Sequence, residues 1–203
     1  MLLMNVKKGV KMGVKQFQFS TVEQWIEACS SERVELIEGE IVKRLNPSAD
    51  HSYSAHRISA SLAPFDDKLG GSGGPGGWWI YAEAHVVYPG RPNGFVHDLA
   101  GWRRDKHENR PRGKKIVERP DWVCEIISSN RSSDLVKKKR VLHEHRVPHY
   151  WTLDHRDELL TVYRWVEGGF LPIHEISLDE NQTLELEPFI GKMFSIEKLF
   201  GRE

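Results

Sequence analysis

Hydrophobic residues near the start of the chain recur with the period of a helix. The stretch VEQWIEAC at 22–29 places its apolar side chains at helical spacing, which predicts a first helix. The preceding SerThrValGlu at 20–23 has the spacing of a capping box, with Ser20 as the N-cap and Glu23 at the third helical position. We therefore expect this helix to begin directly after Ser20.

Short apolar and β-branched runs follow, and most of them predict strands. VELIEGEIVKRL has Glu38-Gly39 between two such runs, the pattern of a hairpin. Further strands are predicted for WWIYAEAHVVY, FVHDLAGWRR, WVCEIIS, YWTLD, LLTVYRW and FLPIHEIS. GGSGGPGG at 70–77 predicts a flexible loop, since no Gly-Lys-Ser/Thr follows it.

Further helical segments separate these strands. HSYSAHRISASLAPFDDKL has a helical pattern that Pro64 is expected to end. Another helix is predicted from Ser132 or Ser133 to about Arg146, and a short one at about 195–200. Strands before and after two helices, with hairpins, indicate an α/β fold with a mixed β-sheet flanked by helices rather than a doubly wound parallel sheet.

Composition fits one soluble domain. The chain has 203 residues, of which 39% are hydrophobic and 29% charged. Residues 1–15, rich in lysine and without an acid, predict a flexible N-terminal arm before a single domain at 16–203. The two cysteines lie in apolar, regular segments and indicate reduced core residues. With no signal peptide or apolar run long enough for a membrane span, a cytoplasmic protein without membrane contact is expected.

The net charge is zero, but the charges are unevenly distributed. Residues 103–119 contain eight Lys/Arg against three Asp/Glu, whereas 154–203 contain five against eleven. A basic middle and an acidic tail suit a protein with one cationic face that binds DNA. The candidate DNA-binding residues are Arg103, Arg104, Lys114 and Lys115. Solvated surface loops are the plainer interpretation of the same charges.

An acid inside a predicted buried strand raises the question of chemistry. Glu125 lies in WVCEIIS, and Ile127 stands two residues further on, where many metal-dependent nucleases carry a lysine. Asp121 lies on the same face of that strand, but four residues separate the two acids by about 13 Å, too far to share one ion. Asp98 is the better partner, because the basic segment can close as a loop that sets the two strands side by side.

The missing lysine can come from the next helix. Lys137 is expected to point to solvent, whereas Lys138 and Lys139 flank the apolar side of that helix equally. Spacing alone does not choose between Lys138 and Lys139, and a basic solvent-facing turn is the plain alternative.

Three segments, FVHDLAGWRRD, RPDWVCEIISSNRSSDLVKKK and VPHYWTLD, together resemble the Uma-type family of restriction endonucleases, a branch of the PD-(D/E)XK nuclease superfamily. The resemblance runs from about Val34 to Trp165. It implies a restriction-endonuclease-like core, magnesium-dependent cleavage of DNA, with Mn²⁺ as a substitute for Mg²⁺, and a homodimer.

Matching motif by motif, the resemblance assigns the acids to Asp98 and Glu125 and the lysine to Lys138, which breaks the tie with Lys139. It also brings in Glu35 as a further acid and His51 as an accessory residue. We hypothesise that Asp98 and Glu125 bind Mg²⁺ and that Lys138 orients the attacking water.

His97, a possible accessory residue, departs from the family pattern, which usually has proline there. Because buried acids repel each other, at least one raised pKa is expected in the site without metal. Two alternatives stay open: a non-cleaving DNA-binding or regulatory module on the same fold, and a partner-binding protein with no nucleic acid. The non-cleaving module would be favoured by DNA binding that weakens steeply as the salt concentration rises and does not depend on magnesium.

Overall fold

The computed structural model describes residues 20–71, 73–127, 133–180 and 182–202, and of Ser133, Asp134 and Glu180 it describes only the backbone. The predicted arm at residues 1–15 lies outside these ranges. So does Ser132, one of the two residues predicted to cap the helix after Glu125.

The predicted helices and strands occur in the predicted order. The described helices are α1 (Val22–Ala28), α2 (Ala49–Leu62), α3 (Ser133–Glu144) and α4 (Ile196–Leu199), with a 3₁₀ turn at Leu178–Glu180. The described strands are β1 (Val34–Ile37), β2 (Glu40–Lys43), β3 (Trp78–Tyr88), β4 (Asn93–Arg103), β5 (Trp122–Ile127), β6 (His149–Asp154), β7 (Leu159–Val166), β8 (Gly169–Ser177), β9 (Thr183–Leu186) and β10 (Phe189–Ser195). None of these helices is both long and apolar enough to cross a bilayer.

Eight of the strands form one mixed sheet. Its order is β2-β1-β4-β5-β6-β7-β8, and β3 lies along the free edge of β4. The β5-β6 pair is parallel, as expected for strands connected through a helix, and the other pairs are antiparallel. The predicted mixed sheet is confirmed.

Strand β4 has a divided edge. One edge pairs with β3 along almost the whole strand. On the other edge, Gly94 pairs with Leu36 of β1, whereas Leu99, Ala100 and Gly101 pair with β5. Residues 95–98 therefore lie at a fork where one neighbouring strand ends and the next begins, so their groups on that edge are open to side-chain partners.

Helices cover both faces of the sheet. On one face, α2 and α4 pack with the β9-β10 hairpin against a cluster of aromatic residues. Phe189 of that hairpin lies between Trp122 and Trp151, with ring centroids 5.0 and 5.6 Å away. On the other face, Val141 and Leu142 of α3 are buried in a second cluster. The predicted flanking helices are confirmed.

The Glu38-Gly39 turn of the predicted hairpin is also confirmed. Both residues have positive φ, 53° and 86°, as a two-residue type I′ turn requires. The tight turn sets the register that pairs Ile37 with Glu40 and Glu35 with Val42.

The sequence reasoning contains two local errors, one wrong expectation and one hairpin that was not predicted. The N-cap of α1 is Thr21, not Ser20, and the box is closed by Gln24 rather than Glu23: the Gln24 amide donates to the Thr21 hydroxyl at 3.2 Å, and the Thr21 amide donates to the Gln24 side chain at 2.8 Å. The Ser20 amide instead bonds the carbonyl of Gly39 at 2.8 Å, which ties the chain to the hairpin turn.

The second error is the β9-β10 hairpin, which no pattern predicted. Its first strand has four residues, and its register shifts between Phe189 and Met193, so no regular alternation marks it.

Candidate active site

Asp98 lies at the fork of β4, and its carboxylate is buried. The register that pairs Leu99 with Cys124 makes Asp98 and Glu125 the next facing positions of the two strands. The Oδ2 atom of Asp98 accepts a hydrogen bond from the Ile126 amide at 2.8 Å, so it reaches the peptide that follows Glu125. The predicted neighbourhood of Asp98 and Glu125 is therefore present, although Asp98 has only 4% of its surface exposed.

Glu125, near the end of β5, contacts two nitrogen atoms. Its Oε1 lies 2.6 Å from Nδ1 of His97, and its Oε2 lies 2.9 Å from Nζ of Lys138. Burial alone would raise the pKa of Glu125, but the positive charge of Lys138 and the hydrogen bond from His97 lower it to about 2. The rise in pKa expected for at least one acid of the site is not found at Glu125, because the charge of Lys138 and the hydrogen bond from His97 outweigh the effect of burial.

Lys138 joins two acids. Its Nζ lies 2.9 Å from Oε1 of Glu35 as well as from Oε2 of Glu125, and only 5% of the residue is exposed. Burial disfavours its charge, but the two glutamates raise the pKa of Lys138 above its usual value. Lys139 instead lies over the ring of Tyr163, 3.6 Å from the centroid. Of the two lysines that helical spacing left equivalent, Lys138 therefore contacts the acids and Lys139 does not.

Glu35 of β1 completes the acidic group. Its Oε1 accepts a hydrogen bond at 3.1 Å from the Val96 amide, a group that has no strand partner because it lies at the fork of β4. Glu35 is only 6% exposed. The structure therefore places Glu35 beside the other predicted acids rather than on the surface of the hairpin.

Arg44 is a component of the site that sequence reasoning missed. Its Nη2 lies 3.0 Å from Oδ1 of Asp98, its Nη1 lies 3.1 Å from Oε2 of Glu83, and its Nε lies 3.8 Å from Glu35. Burial disfavours the charged form, but these acids raise the pKa of Arg44. Arg44 follows directly after β2, and no local pattern distinguishes it from the other basic residues of that segment.

The two histidines proposed as accessory residues contact different acids. Nε2 of His51, in the first turn of α2, lies 3.2 Å from Oδ2 of Asp98. Nδ1 of His51 is buried and has no hydrogen-bond partner among the described residues. His97 contacts Glu125 on one side and the Tyr88 hydroxyl on the other, at 2.8 Å.

The donor chemistry of the site fits a hard divalent cation. Asp98 and Glu125 face each other on adjacent strands with oxygen donors only, and Mg²⁺ commonly takes one or two carboxylates and completes its shell with water and substrate. Within the described ranges, no group of three or more His, Cys, Asp and Glu side chains is arranged to hold a metal ion.

Most of the predicted DNA-binding residues make contacts within the chain and lie outside the acidic group. Arg103 pairs with Asp105, and Lys115 lies 3.3 Å from Glu23. Arg104 stacks over Trp79, with its guanidinium 3.4 Å from the ring centroid. Lys114 is exposed.

Asp121 does not join the site either. Its carboxylate contacts Lys106 at 2.6 Å and accepts from the Arg103 amide at 2.9 Å. The argument from strand geometry against Asp121 as a partner of Glu125 is confirmed.

Comparison with known proteins gives a family and a fold. The model of the Uma2 family, described as "Putative restriction endonuclease", matches residues 19–197. A protein from Anabaena variabilis ATCC 29413, described as a "putative nuclease belonging to DUF820", has a similar structure with a TM-score of 0.66. The two share 19% identity, and the match covers 83% of this chain and 89% of the other. No curated protein matches the chain.

Proposed function

The chain belongs to the Uma2 family, and we propose on that basis that it is a metal-dependent endonuclease that hydrolyses phosphodiester bonds in DNA. The observation that supports this chemistry best is the contact of Lys138 with Glu125, because Glu125 occupies the position of β5 that faces Asp98 on β4. Two acids at facing strand positions can hold a metal ion, and an amine beside one of them can stabilise the hydroxide that attacks phosphorus.

Asp98 and Glu125 would hold a Mg²⁺ ion, or Mn²⁺ in its place, and the ion would polarise a phosphoryl oxygen and make water more acidic. Its entry requires Arg44 or His51 to release Asp98, since both contact its carboxylate.

In the proposed reaction, Lys138 orients the attacking water and stabilises the negative charge that develops on it. The water oxygen forms a bond to phosphorus as the bond from phosphorus to the leaving sugar oxygen breaks. One proton passes from the water to solvent, and the leaving oxygen takes one from solvent. Arg44 stabilises the additional charge on the phosphate, and Glu35 holds Lys138 in place through their contact at 2.9 Å.

Plasmid nicking tests the proposal. Purified protein is incubated with supercoiled plasmid and Mg²⁺ or Mn²⁺, and relaxed circles are measured. We expect Glu125→Gln to lose nicking while circular dichroism shows a folded protein. Glu175→Gln is the matched control, because Glu175 is an exposed glutamate of β8, which is separated from β5 by β6 and β7. Full nicking by folded Glu125→Gln would contradict the proposal.

A non-cleaving DNA-binding or regulatory module is the second candidate function. The observation that favours it is that both carboxylates already have side-chain partners. Asp98 contacts Arg44 and His51, and Glu125 contacts His97 and Lys138. The site is electrostatically satisfied without a metal. Binding of DNA that weakens with salt, without nicking under any metal, would support this function instead.

We also propose a homodimer as the active form. The described part of the chain forms one such acidic site, and a dimer would present two, one for each strand of a duplex. Light scattering after size-exclusion chromatography, with and without duplex DNA, measures the state directly. A chain that stays monomeric in both samples but cuts both strands would contradict the proposal.

A further inference from the structure

Residues 110–116, which we call the strap, run along the outer edge of β3. The Val87 amide donates to the carbonyl of Ile116, and the Ile116 amide donates to the carbonyl of His85, both at 2.8 Å. At the other end, the Tyr81 hydroxyl donates to the carbonyl of Pro111 at 2.5 Å. Pro111 and Ile116 are buried, so the strap is anchored near both ends.

Three cations project from the strap. Arg110, Arg112 and Lys114 are exposed, and the described residues offer none of them an ion pair within 4.0 Å. Their even spacing on a fixed backbone gives a row of positive charge. Arg103 and Lys115 nearby are already neutralised by Asp105 and Glu23. The strap therefore carries the cations of the basic segment that are available to a ligand.

A groove separates the strap from β3. It has a volume of about 310 Å³ and is lined by the three cations together with Tyr81, Glu83 and His85. Glu83 has a φ of 49°, which is unusual for a residue other than glycine, and it interrupts the ladder between the pairs Ala82-Leu99 and Ala84-His97. The groove thus passes directly beside the position that faces Asp98 across the β3-β4 pair.

Contacts connect the groove to the buried acids. The carboxylate of Glu83 lies 3.3 Å from Arg33 and 3.1 Å from Arg44, and Arg44 reaches Asp98 at 3.0 Å. A phosphate at this end of the groove would attract both arginines and repel Glu83. The row of positive charge therefore leads to the arginine that borders the acidic site.

We propose that this groove binds the sugar-phosphate backbone of a DNA strand and leads it toward Asp98 and Glu125. The inference rests on the proposed function for its direction, but the binding itself requires no cleavage. Arg110, Arg112 and Lys114 supply the affinity by neutralising phosphates. Arg44 would exchange its contact with Glu83 for a contact with a phosphate, and this exchange would connect DNA binding in the groove to the acidic site.

The test measures binding without metal. Fluorescence anisotropy with labelled single-stranded and duplex DNA of one sequence is recorded in EDTA between roughly 50 and 200 mM salt. The groove variant carries Arg110→Ala, Arg112→Ala and Lys114→Ala. Its control carries Lys68→Ala, Arg156→Ala and Lys198→Ala, which removes as many charges from exposed residues outside the groove.

We expect the groove variant to lose affinity and the slope of log K against log salt to become shallower by about 2 to 3 on duplex DNA, since each phosphate contact contributes about 0.9. The control should keep the slope of the unmodified protein. The DNA form with the larger loss identifies whether one strand or a duplex lies in the groove. Equal changes in both variants would overturn the proposal, as would equally tight binding of polyglutamate.

Glu83→Gln gives an independent test that leaves the strap intact. Removing this carboxylate should tighten DNA binding several-fold, because Arg33 and Arg44 each lose a negatively charged partner that competes with phosphate. Unchanged or weaker binding would count against the groove. Failure of the proposed nuclease function is seen separately. Glu125→Gln is measured by nicking, and DNA binding through the groove persists even if the chain never cuts.

Discussion

Nδ1 of His97 lies 2.6 Å from Oε1 of Glu125, and its Nε2 lies 2.8 Å from the hydroxyl oxygen of Tyr88. The ionised carboxylate of Glu125 only accepts, so Nδ1 of His97 carries a proton and donates to it. His97 is fully buried and fixes the orientation of Glu125. A histidine at a position where the family usually has proline is thus accommodated by two partners within the fold.

His97→Ala is expected to reduce both stability and nicking. The variant removes one hydrogen bond from Glu125 and leaves the buried Tyr88 hydroxyl without a partner, which costs about 2 to 4 kcal/mol in the free energy of unfolding. Urea denaturation measures that change. His97→Asn should restore part of the nicking, because its amide can donate to Glu125 from near the position of Nδ1. Equal nicking by the alanine and asparagine variants would refute an orienting role.

Lys138→Met is expected to abolish nicking and to cost about 3 to 5 kcal/mol of stability. It keeps the length of the side chain but leaves Glu35 and Glu125 buried without the ammonium that both contact. The free energy of unfolding and the nicking rate are measured together on one preparation.

Lys139→Met is the matched control for that prediction. Lys139 contacts the ring of Tyr163 and none of the acids, so its loss should cost at most about 1 kcal/mol and leave nicking unchanged. If both variants lost nicking equally, the loss would reflect the positive charge of α3 in general and would contradict a specific role of Lys138.

Local patterns predicted the parts of the fold that have local causes. The Glu38-Gly39 turn lies between two apolar runs, and Gly39 readily adopts the positive φ that a two-residue turn requires. The proximity of Asp98 and Glu125 followed from strand geometry, since Asp121 lies too far along the same strand. The turn required no knowledge of distant contacts, whereas the assignment of Asp98 and Glu125 also rested on the family resemblance.

Contacts between distant segments account for what sequence reasoning missed. Arg44 reaches Asp98 because β1 pairs with one half of the β4 edge and β5 with the other, and no residue near Arg44 encodes that division. Helical spacing likewise left Lys138 and Lys139 equivalent. The ring of Tyr163, on β7, and the carboxylates of Glu35 and Glu125 separate them in the folded chain.

Gly94→Ala is expected to destabilise the joint between β1 and β4. A Cβ atom at Gly94 would lie 2.3 Å from the ring of Trp25, which is fully buried and donates to the Val34 carbonyl at 3.0 Å. Displacing that ring should cost about 1 to 3 kcal/mol and, through β1, misplace Glu35 and lower nicking.

Gly168→Ala is the control for the glycine variant. A Cβ atom at Gly168 meets nothing within 4 Å, so its effect on the free energy of unfolding should stay within about 0.5 kcal/mol. Urea denaturation of the two variants, followed by tryptophan fluorescence, measures the difference. Equal stability of both would show that Trp25 moves aside without cost.

Acidification is expected to destabilise the fold through His149, at the start of β6. Burial lowers the pKa of His149 from 6.5 to about 4, against the opposing effect of Glu187. Between about pH 6.5 and pH 4 the unfolded chain therefore binds a proton that the folded chain does not, so stability falls as the pH falls through this range and the effect levels off below it. The full contribution is about 3 kcal/mol.

His149→Gln isolates that contribution, because glutamine does not titrate while the carboxylates of the chain titrate alike in both proteins. Urea denaturation from about pH 7 to pH 4 should show the unmodified protein losing about 3 kcal/mol more than the variant. His56→Gln, which changes an exposed histidine of α2, should follow the unmodified protein throughout. If the stability of His149→Gln ran parallel to that of the unmodified protein, burial of a neutral His149 would not be the source of the acid sensitivity.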